Sequence, residues 1–121
     1  MTKECKQQFT LRITQANSTE MVVILYEMLL CYLEECEEAI KKSDKKTLAE
    51  AVRKARGCLN ELMQSLHLEY EPAKELMQLY LFCVRRLARV ELKEDMTMVE
   101  DVCKVIQPLH DAYAQIAAQN K

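Results

Sequence analysis

The sequence predicts an all-α protein, an antiparallel four-helix bundle preceded by a short N-terminal strap. A single glycine, two prolines and no tryptophan in 121 residues are typical of helices joined by short connections. Apolar residues recur at helical spacing in four successive segments, and four amphipathic helices bury their apolar stripes most economically against one another. We therefore expect one domain, with residues 1–17 as the strap and residues 18–121 as the bundle.

The first two predicted helices are separated by a tight turn. The first helix begins at Asn17 or Ser18, where Glu20 completes the spacing of a capping box, and it ends near Lys42. Asp44 suits the N-cap of the second helix, and a turn this short predicts an antiparallel hairpin. The second helix carries one apolar stripe, formed by Leu48, Val52, Ala55, Leu59, Leu62 and Leu66.

The other predicted helices are more apolar than one buried stripe requires. In the first helix only Glu27 interrupts the apolar run of residues 21–33. The third helix runs from about Pro72 to Leu92, and Asp95 is expected to cap the start of the fourth. Their surplus residues predict a thicker core, a dimer face or a groove for a partner. These residues are Ile24, Met28 and Cys31 in the first helix, Met77, Leu81, Val84 and Ala88 in the third, and Val105, Leu109 and Ile116 in the fourth.

Charge and hydropathy exclude several classes of partner. A formal net charge of −2 argues against a nucleic-acid partner, because phosphate binding requires a basic surface. Residues 1–11 are too polar for a secretory signal, and the apolar run of residues 21–33 is shorter than the ~20 residues of a membrane-spanning helix. Six scattered cysteines without a CxxC pair indicate reduced thiols. We therefore expect a cytoplasmic protein with no membrane insertion.

The sequence shows no pattern typical of a catalytic, metal or cofactor site. A carboxylate-bridged metal pair in a helical bundle needs Glu-x-x-His on two helices, and the residues three before His67 and His110 are Gln64 and Gln107. Gly57, the one glycine, cannot build a glycine-rich phosphate loop, and neither histidine has a recognisable nucleophile beside it in sequence. We expect no enzyme, no metal and no cofactor.

Several short motifs, in their order and spacing, resemble the FliS family of flagellar export chaperones. The resemblance extends from about Phe9 to Ile116, because the start and the apolar spacing of the fourth predicted helix also match the family. Phe9 stands where the family usually has a tyrosine. The phenylalanine keeps the aromatic ring and lacks the hydroxyl. The motifs are Ser18-Thr19-Glu20-Met21 followed by Leu25-Tyr26, Leu59-Asn60-Glu61-Leu62 with Ser65-Leu66, Leu79-Tyr80, and Arg85-Arg86-Leu87.

The resemblance implies a cytosolic bundle that binds the C-terminal segment of flagellin in a hydrophobic groove. Such a chaperone prevents premature polymerisation and helps to deliver its client to a component of the flagellar type III export gate. The surplus apolar residues would then form the groove, namely Ile24, Met28, Met77, Leu81, Val84, Ala88, Val105 and Leu109. The N-terminal strap would act as a lid on this surface through Phe9, Leu11 and Ile13.

A second hypothesis also accounts for the surplus apolar residues. A helical dimerisation module would pair the same stripe with a second copy of itself. The two hypotheses differ in their partner, and the sequence leaves open whether the chain is a monomer or a weak homodimer.

Overall fold

The all-α prediction is confirmed by the structure. A computed structural model describes residues 1–16, 18–69 and 71–119, and over these ranges the chain forms five helices and no strand. The helices are α1 (Lys3–Gln15), α2 (Ser18–Lys41), α3 (Lys45–Gln64), α4 (Glu71–Lys93) and α5 (Met96–Gln119).

Local capping chemistry defines where α3 and α5 begin. Asp44 is the N-cap of α3, and its carboxylate accepts a hydrogen bond from the Thr47 backbone N–H at 3.1 Å. The Asp95 carboxylate accepts one from the Thr97 backbone N–H at 2.9 Å. Both predicted capping residues are thus confirmed, whereas the predicted cap at Asn17 lies outside the described residues. Because each cap satisfies an amide that has no partner inside the helix, these aspartates place the helix starts.

Helices α2 to α5 form a closed ring of contacts. α2 packs against α3 and α5, and α4 packs against the same two helices. The predicted stripe points into this ring, since Leu48, Val52, Ala55, Leu59 and Leu62 are all buried. Its last member, Leu66, lies beyond the end of α3 and is half-buried against the core. Other fully buried side chains include Leu29 and Leu33 of α2, Leu87 and Val90 of α4, and Val99, Val102 and Ile106 of α5.

Two tyrosines provide a polar contact inside this core. The hydroxyls of Tyr26 on α2 and Tyr80 on α4 lie 2.5 Å apart, and the two side chains are 0% and 1% exposed. The ring of Tyr113 on α5 contacts the Tyr26 ring edge-on at a centroid distance of 5.7 Å. Burial raises the pKa of Tyr80 to about 12 and raises the pKa of Tyr26 further, so both hydroxyls are protonated.

The N-terminal segment forms a helix that the sequence analysis did not predict. α1 is 13 residues long, and the Thr2 side chain caps it by accepting a hydrogen bond from the Cys5 backbone N–H at 3.1 Å. Cys5, Phe9 and Ile13 recur at a spacing of four and share one side of the helix. α1 packs against α2, with Phe9 buried and Leu11 59% exposed.

Two further properties concern the whole of the described chain. None of the helices in the described ranges is long and apolar enough to span a lipid bilayer. All six cysteines are free thiols, and Cys36, Cys58 and Cys83 are buried within the core. Burial raises the pKa of each of these three thiols to about 12, so they remain protonated and unreactive at neutral pH.

Candidate functional site

The candidate site is the surface of α2 that points away from the core. It consists of Ile24, Glu27, Met28 and Cys31, and we call it the outer face of α2. These residues recur at steps of three, one and three, so they lie on one side of the helix. α1 lies along this face.

Contacts along the two helices show that α1 runs antiparallel to α2. Near the start of α1, Cys5 lines a cleft together with Cys31, and one turn from the end of α1 Arg12 contacts Glu27. Residue numbers therefore fall along α1 as they rise along α2. This arrangement explains the apolar run that the first predicted helix could not bury in a single core stripe, because α1 covers its second side.

The apolar part of this contact centres on two side chains. Phe9 of α1 is 7% exposed and Ile24 of α2 is 2% exposed. Neither side chain belongs to the continuous core that α2, α3, α4 and α5 enclose together. Met28 is half-buried and lies beside Phe9 and Ile13 at the rim of a cavity of about 290 Å³. Removing α1 would therefore expose a hydrophobic surface on α2.

Two cavities that are open to solvent border α1 on this surface. Besides the cavity beside Phe9, a second cavity of about 320 Å³ lies where Arg12 and Gln15 of α1 approach Val23 and Ile24 of α2. Its other wall is formed by small side chains of α5, namely Ala114, Ala117 and Ala118.

A cluster of charged groups joins α1 and α5 to the outer face of α2. One carboxylate oxygen of Glu27 accepts a hydrogen bond from Arg12 Nη1 at 2.5 Å, and the other lies 2.8 Å from His110 Nε2. His110 Nδ1 is 3.0 Å from the Asp111 carboxylate, which also accepts a hydrogen bond from Gln107 Nε2 at 3.0 Å. With a carboxylate oxygen at each ring nitrogen, His110 is satisfied best as an imidazolium that donates twice.

Electrostatics in this cluster favour the charged form of each group. Burial alone would raise the pKa of Glu27, but hydrogen bonds from Arg12 and His110 outweigh it and lower the pKa. Burial alone would lower the pKa of His110, but its hydrogen bonds to Glu27 and Asp111 raise the pKa above the ordinary value of 6.5. With His110 protonated, Arg12 and His110 place two cations against the carboxylates of Glu27 and Asp111.

The surplus residues of the third predicted helix lie on the side of α4 that faces α3. Two contacts define the sides of α4: Arg86 reaches Asp101 and Met98 of α5, whereas Glu91 lines a cleft with Arg53 and Arg56 of α3. At helical spacing, Met77, Leu81, Val84 and Ala88 fall on the Glu91 side. The first three are half-buried and Ala88 is exposed.

The surplus residues of the fourth predicted helix face a different neighbour. Val105 lies two turns after Met98, which contacts α4, and Leu109 follows one turn later, so both lie on the α4 side of α5. Both are half-buried against the core. The structure thus brings Ile24 and Met28 together beneath α1, and it places the groove residues predicted on α4 and α5 on two other faces.

The three predicted lid residues have different positions on α1. Phe9 is buried and Ile13 is half-buried at the contact with α2, whereas Leu11 is largely exposed. Residues two positions apart on a helix project in very different directions, so Leu11 cannot share the surface of Phe9.

Sequence reasoning missed Glu27, His110 and Leu79, whereas it had named Ile116 among the surplus apolar residues. Leu79, on the α5 side of α4, is 39% exposed, and Ile116, on the α4 side of α5, is 45% exposed. Leu79 could have been found from its spacing, because it precedes Arg86 by two turns and therefore lies on the same side of α4. For Glu27 the signal was a single acidic residue in an otherwise apolar run.

The described part of the chain contains no group of three or more His, Cys, Asp or Glu side chains arranged to hold a metal ion.

Comparison with known proteins points to one family. A family model described as flagellar protein FliS matches residues 1–120. The flagellar secretion chaperone FliS of Bacillus subtilis (strain 168) is 25% identical over 103 residues, which are 85% of this chain and 77% of that protein.

Proposed function

Since this chain belongs to the FliS family, we propose that it is a flagellar secretion chaperone whose client is the C-terminal segment of flagellin. It binds this segment in the cytoplasm, prevents flagellin from polymerising before export, and presents it to a component of the flagellar type III export gate. The name of the Bacillus subtilis relative supports the general role in flagellar secretion. The proposed role is binding alone, with no catalytic step and no cofactor.

We propose that residues 18–121 form a single antiparallel four-helix bundle and that residues 1–17 act as its strap. The closed ring of contacts among α2 to α5 supports the bundle. Connections as short as residues 42–44 and 94–95 favour antiparallel neighbours. This arrangement provides a rigid scaffold, with α1 as the one helix outside the ring.

The observation that carries the proposal is the position of α1 on the apolar outer face of α2. A client helix that binds this face would bury Ile24 and Met28, as α1 does. The two cavities beside α1 are open to solvent and leave room for a larger segment, which supports its exchange for a client helix. We therefore propose that α1 is the lid, and that the client takes its place.

The other predicted groove residues are proposed as further contacts of the same client. Met77, Leu81, Val84 and Ala88 on α4, and Val105 and Leu109 on α5, lie on faces that α1 does not cover. An extended client segment would reach them by passing around the bundle, with a short apolar stretch at each face. The client then makes a separate contact with each face, so substitutions on one face can be tested independently of those on another.

Two alanine variants of α1 test the lid. Phe9→Ala removes its one fully buried side chain, whereas Leu11→Ala removes a largely exposed apolar side chain of the same helix. If α1 competes with the client, we expect Phe9→Ala to tighten binding of a flagellin C-terminal peptide about fivefold or more, because apparent affinity rises with the fraction of open chaperone. Leu11→Ala should change it less than twofold.

The measurement is a fluorescence anisotropy titration of the labelled peptide against each full-length variant. Circular dichroism on the same samples reports whether helix content is retained. Equal affinities for wild type and Phe9→Ala would show that α1 is not a lid, and no binding by any variant would refute flagellin as the client.

The alternative function is a dimerisation module, and exposed apolar side chains such as Leu79 on α4 and Ile116 on α5 favour it. A second copy could cover such side chains. Light scattering at low micromolar concentration separates the two functions. A stable dimer that does not bind the flagellin peptide supports dimerisation, and a monomer that binds it one to one supports the chaperone.

A further inference from the structure

Glu27 is an unusual residue for the outer face of α2, because it places a carboxylate among apolar side chains. Its side chain is 29% exposed, and each of its two oxygens has a cationic partner. One partner, His110, belongs to α5 and stays in place when α1 leaves. The other, Arg12, belongs to α1 and leaves with it.

The loss of Arg12 changes the charge of the cluster. With α1 docked, Glu27 and Asp111 are balanced by Arg12 and the imidazolium of His110. Without α1, two carboxylates remain beside one cation. When α1 leaves, water takes the place of Arg12 at Glu27, but a client helix on the same face buries this carboxylate again, and burial without a cationic partner is costly unless the client supplies a cation there.

We propose that Glu27 selects the client, which presents an arginine or lysine to it from a helix laid on the outer face of α2. This inference rests on the proposed function, since it names the chemistry of the client that replaces α1. The model for that helix is α1 itself: a large apolar residue as at Phe9, a cation three residues later as at Arg12, and a second apolar residue next to it as at Ile13.

The geometry around Glu27 supports a specific recognition role. His110 holds one carboxylate oxygen, and Asp111 holds His110 from its other ring nitrogen, so Glu27 keeps its orientation independently of α1. A preorganised carboxylate binds a guanidinium or ammonium group without first paying to order its own side chain. Beside it, the cavity lined by Ile24 and the alanines of α5 accepts an apolar side chain of the same client helix.

Replacing Glu27 alone would weaken the docking of α1 and remove the proposed recognition group at once, because Glu27 also pairs with Arg12 of α1. Comparing variants that all lack the Arg12 cation removes this ambiguity. Arg12→Gln breaks the ion pair from the α1 side and leaves Glu27 intact. The double variant, Arg12→Gln with Glu27→Gln, lacks the same ion pair and also lacks the Glu27 carboxylate. Arg12→Gln with Glu34→Gln is the matched control, because Glu34 is an exposed acid on the same helix.

Each full-length variant is titrated with a labelled flagellin C-terminal peptide by fluorescence anisotropy at low salt. We expect Arg12→Gln to bind at least as tightly as wild type, because the lid is weakened. Adding Glu27→Gln should then weaken binding about fivefold or more, whereas adding Glu34→Gln should weaken it less than twofold. Replacing the pairing arginine or lysine of the peptide by glutamine should abolish the difference that Glu27→Gln makes.

The outcomes separate the inference from the function on which it rests. Equal binding by Arg12→Gln with and without Glu27→Gln would overturn the inference alone, since Glu27 would then serve only to hold α1. A fivefold loss that persists with every glutamine-substituted peptide would also overturn it. No binding of the peptide to any of the proteins would overturn the proposed function itself.

Discussion

The buried hydroxyl pair of Tyr26 and Tyr80 makes a quantitative prediction about stability. The two oxygens lie 2.5 Å apart in a core where the side chains are at most 1% exposed. Tyr26→Phe removes one partner and leaves the Tyr80 hydroxyl buried without a hydrogen bond. Such a group costs about 1–3 kcal/mol, so we expect Tyr26→Phe, and likewise Tyr80→Phe, to lose that much stability.

The double variant should behave differently from the sum of its parts. With both hydroxyls replaced, no buried polar group is left unpaired, and the expected loss is only about 1 kcal/mol or less. Urea unfolding monitored by circular dichroism gives the three free energies, and Tyr113→Phe serves as a control in which the edge contact with Tyr26 remains. Strict additivity of the two single losses would refute the reasoning, because it would mean that each hydroxyl has its own partner.

Three further predictions follow from burial and charge. Leu59→Ala should lower the free energy of unfolding by about 2–5 kcal/mol, because it opens a cavity in the core. Leu81→Ser, on the half-buried side of α4 that faces α3, should lower it by no more than about 1 kcal/mol. Thermal melting compares the two variants. Because the pKa of His110 is raised above 6.5 by Glu27 and Asp111, the stability it confers is present below pH 6.5 and is lost as the pH rises through its folded-state pKa. Urea unfolding at pH 6 and pH 8 should therefore show a larger drop for wild type than for His110→Gln, and equal drops would count against the cluster. The Cys83 thiol, with a pKa of about 12, should react with a thiol reagent at pH 8 only after unfolding; rapid labelling of the native chain would contradict its burial.

The helices of the ring could be predicted because their signals are local. Asp44 and Asp95 cap helices through amides two or three residues away, and the stripe of α3 repeats within a single helix. The proposal that a lid covers the surplus apolar side of the first predicted helix depended on the family resemblance. It named Phe9 and Ile13, which lie at the contact with α2, together with Leu11, which is largely exposed.

The helical state of the strap could not be predicted from its composition. The spacing of Cys5, Phe9 and Ile13 is helical, but polar residues surround it and the stripe is one residue wide. Such a helix is marginal alone and depends on the apolar surface of α2 that it covers. The stability of α1 is therefore a tertiary property, which a local pattern cannot report.

The grouping of the site residues depended on contacts that are distant in sequence. Glu27 and His110 are 83 residues apart, and nothing near either one indicates the other. Periodicity separated two sides of α4, but it did not tell which side faces α3 and which faces α5. That choice is fixed by contacts such as Arg86 with Asp101, and it places Leu81 and Leu109 on different faces.

The position of α1 next to α2 in sequence has a kinetic and a thermodynamic consequence. Residues 16 and 17 are all that separate the two helices, so an α1 that serves as the proposed lid would be a tethered competitor that cannot diffuse away. Short tethers hold a group at an effective concentration in the millimolar range, whatever the amount of protein in the cell. The apparent affinity for a client would thereby be lowered by the fraction of time that α1 is docked. Substitutions in α1 would thus adjust how readily the chaperone captures a client, while the binding surface itself stays unchanged.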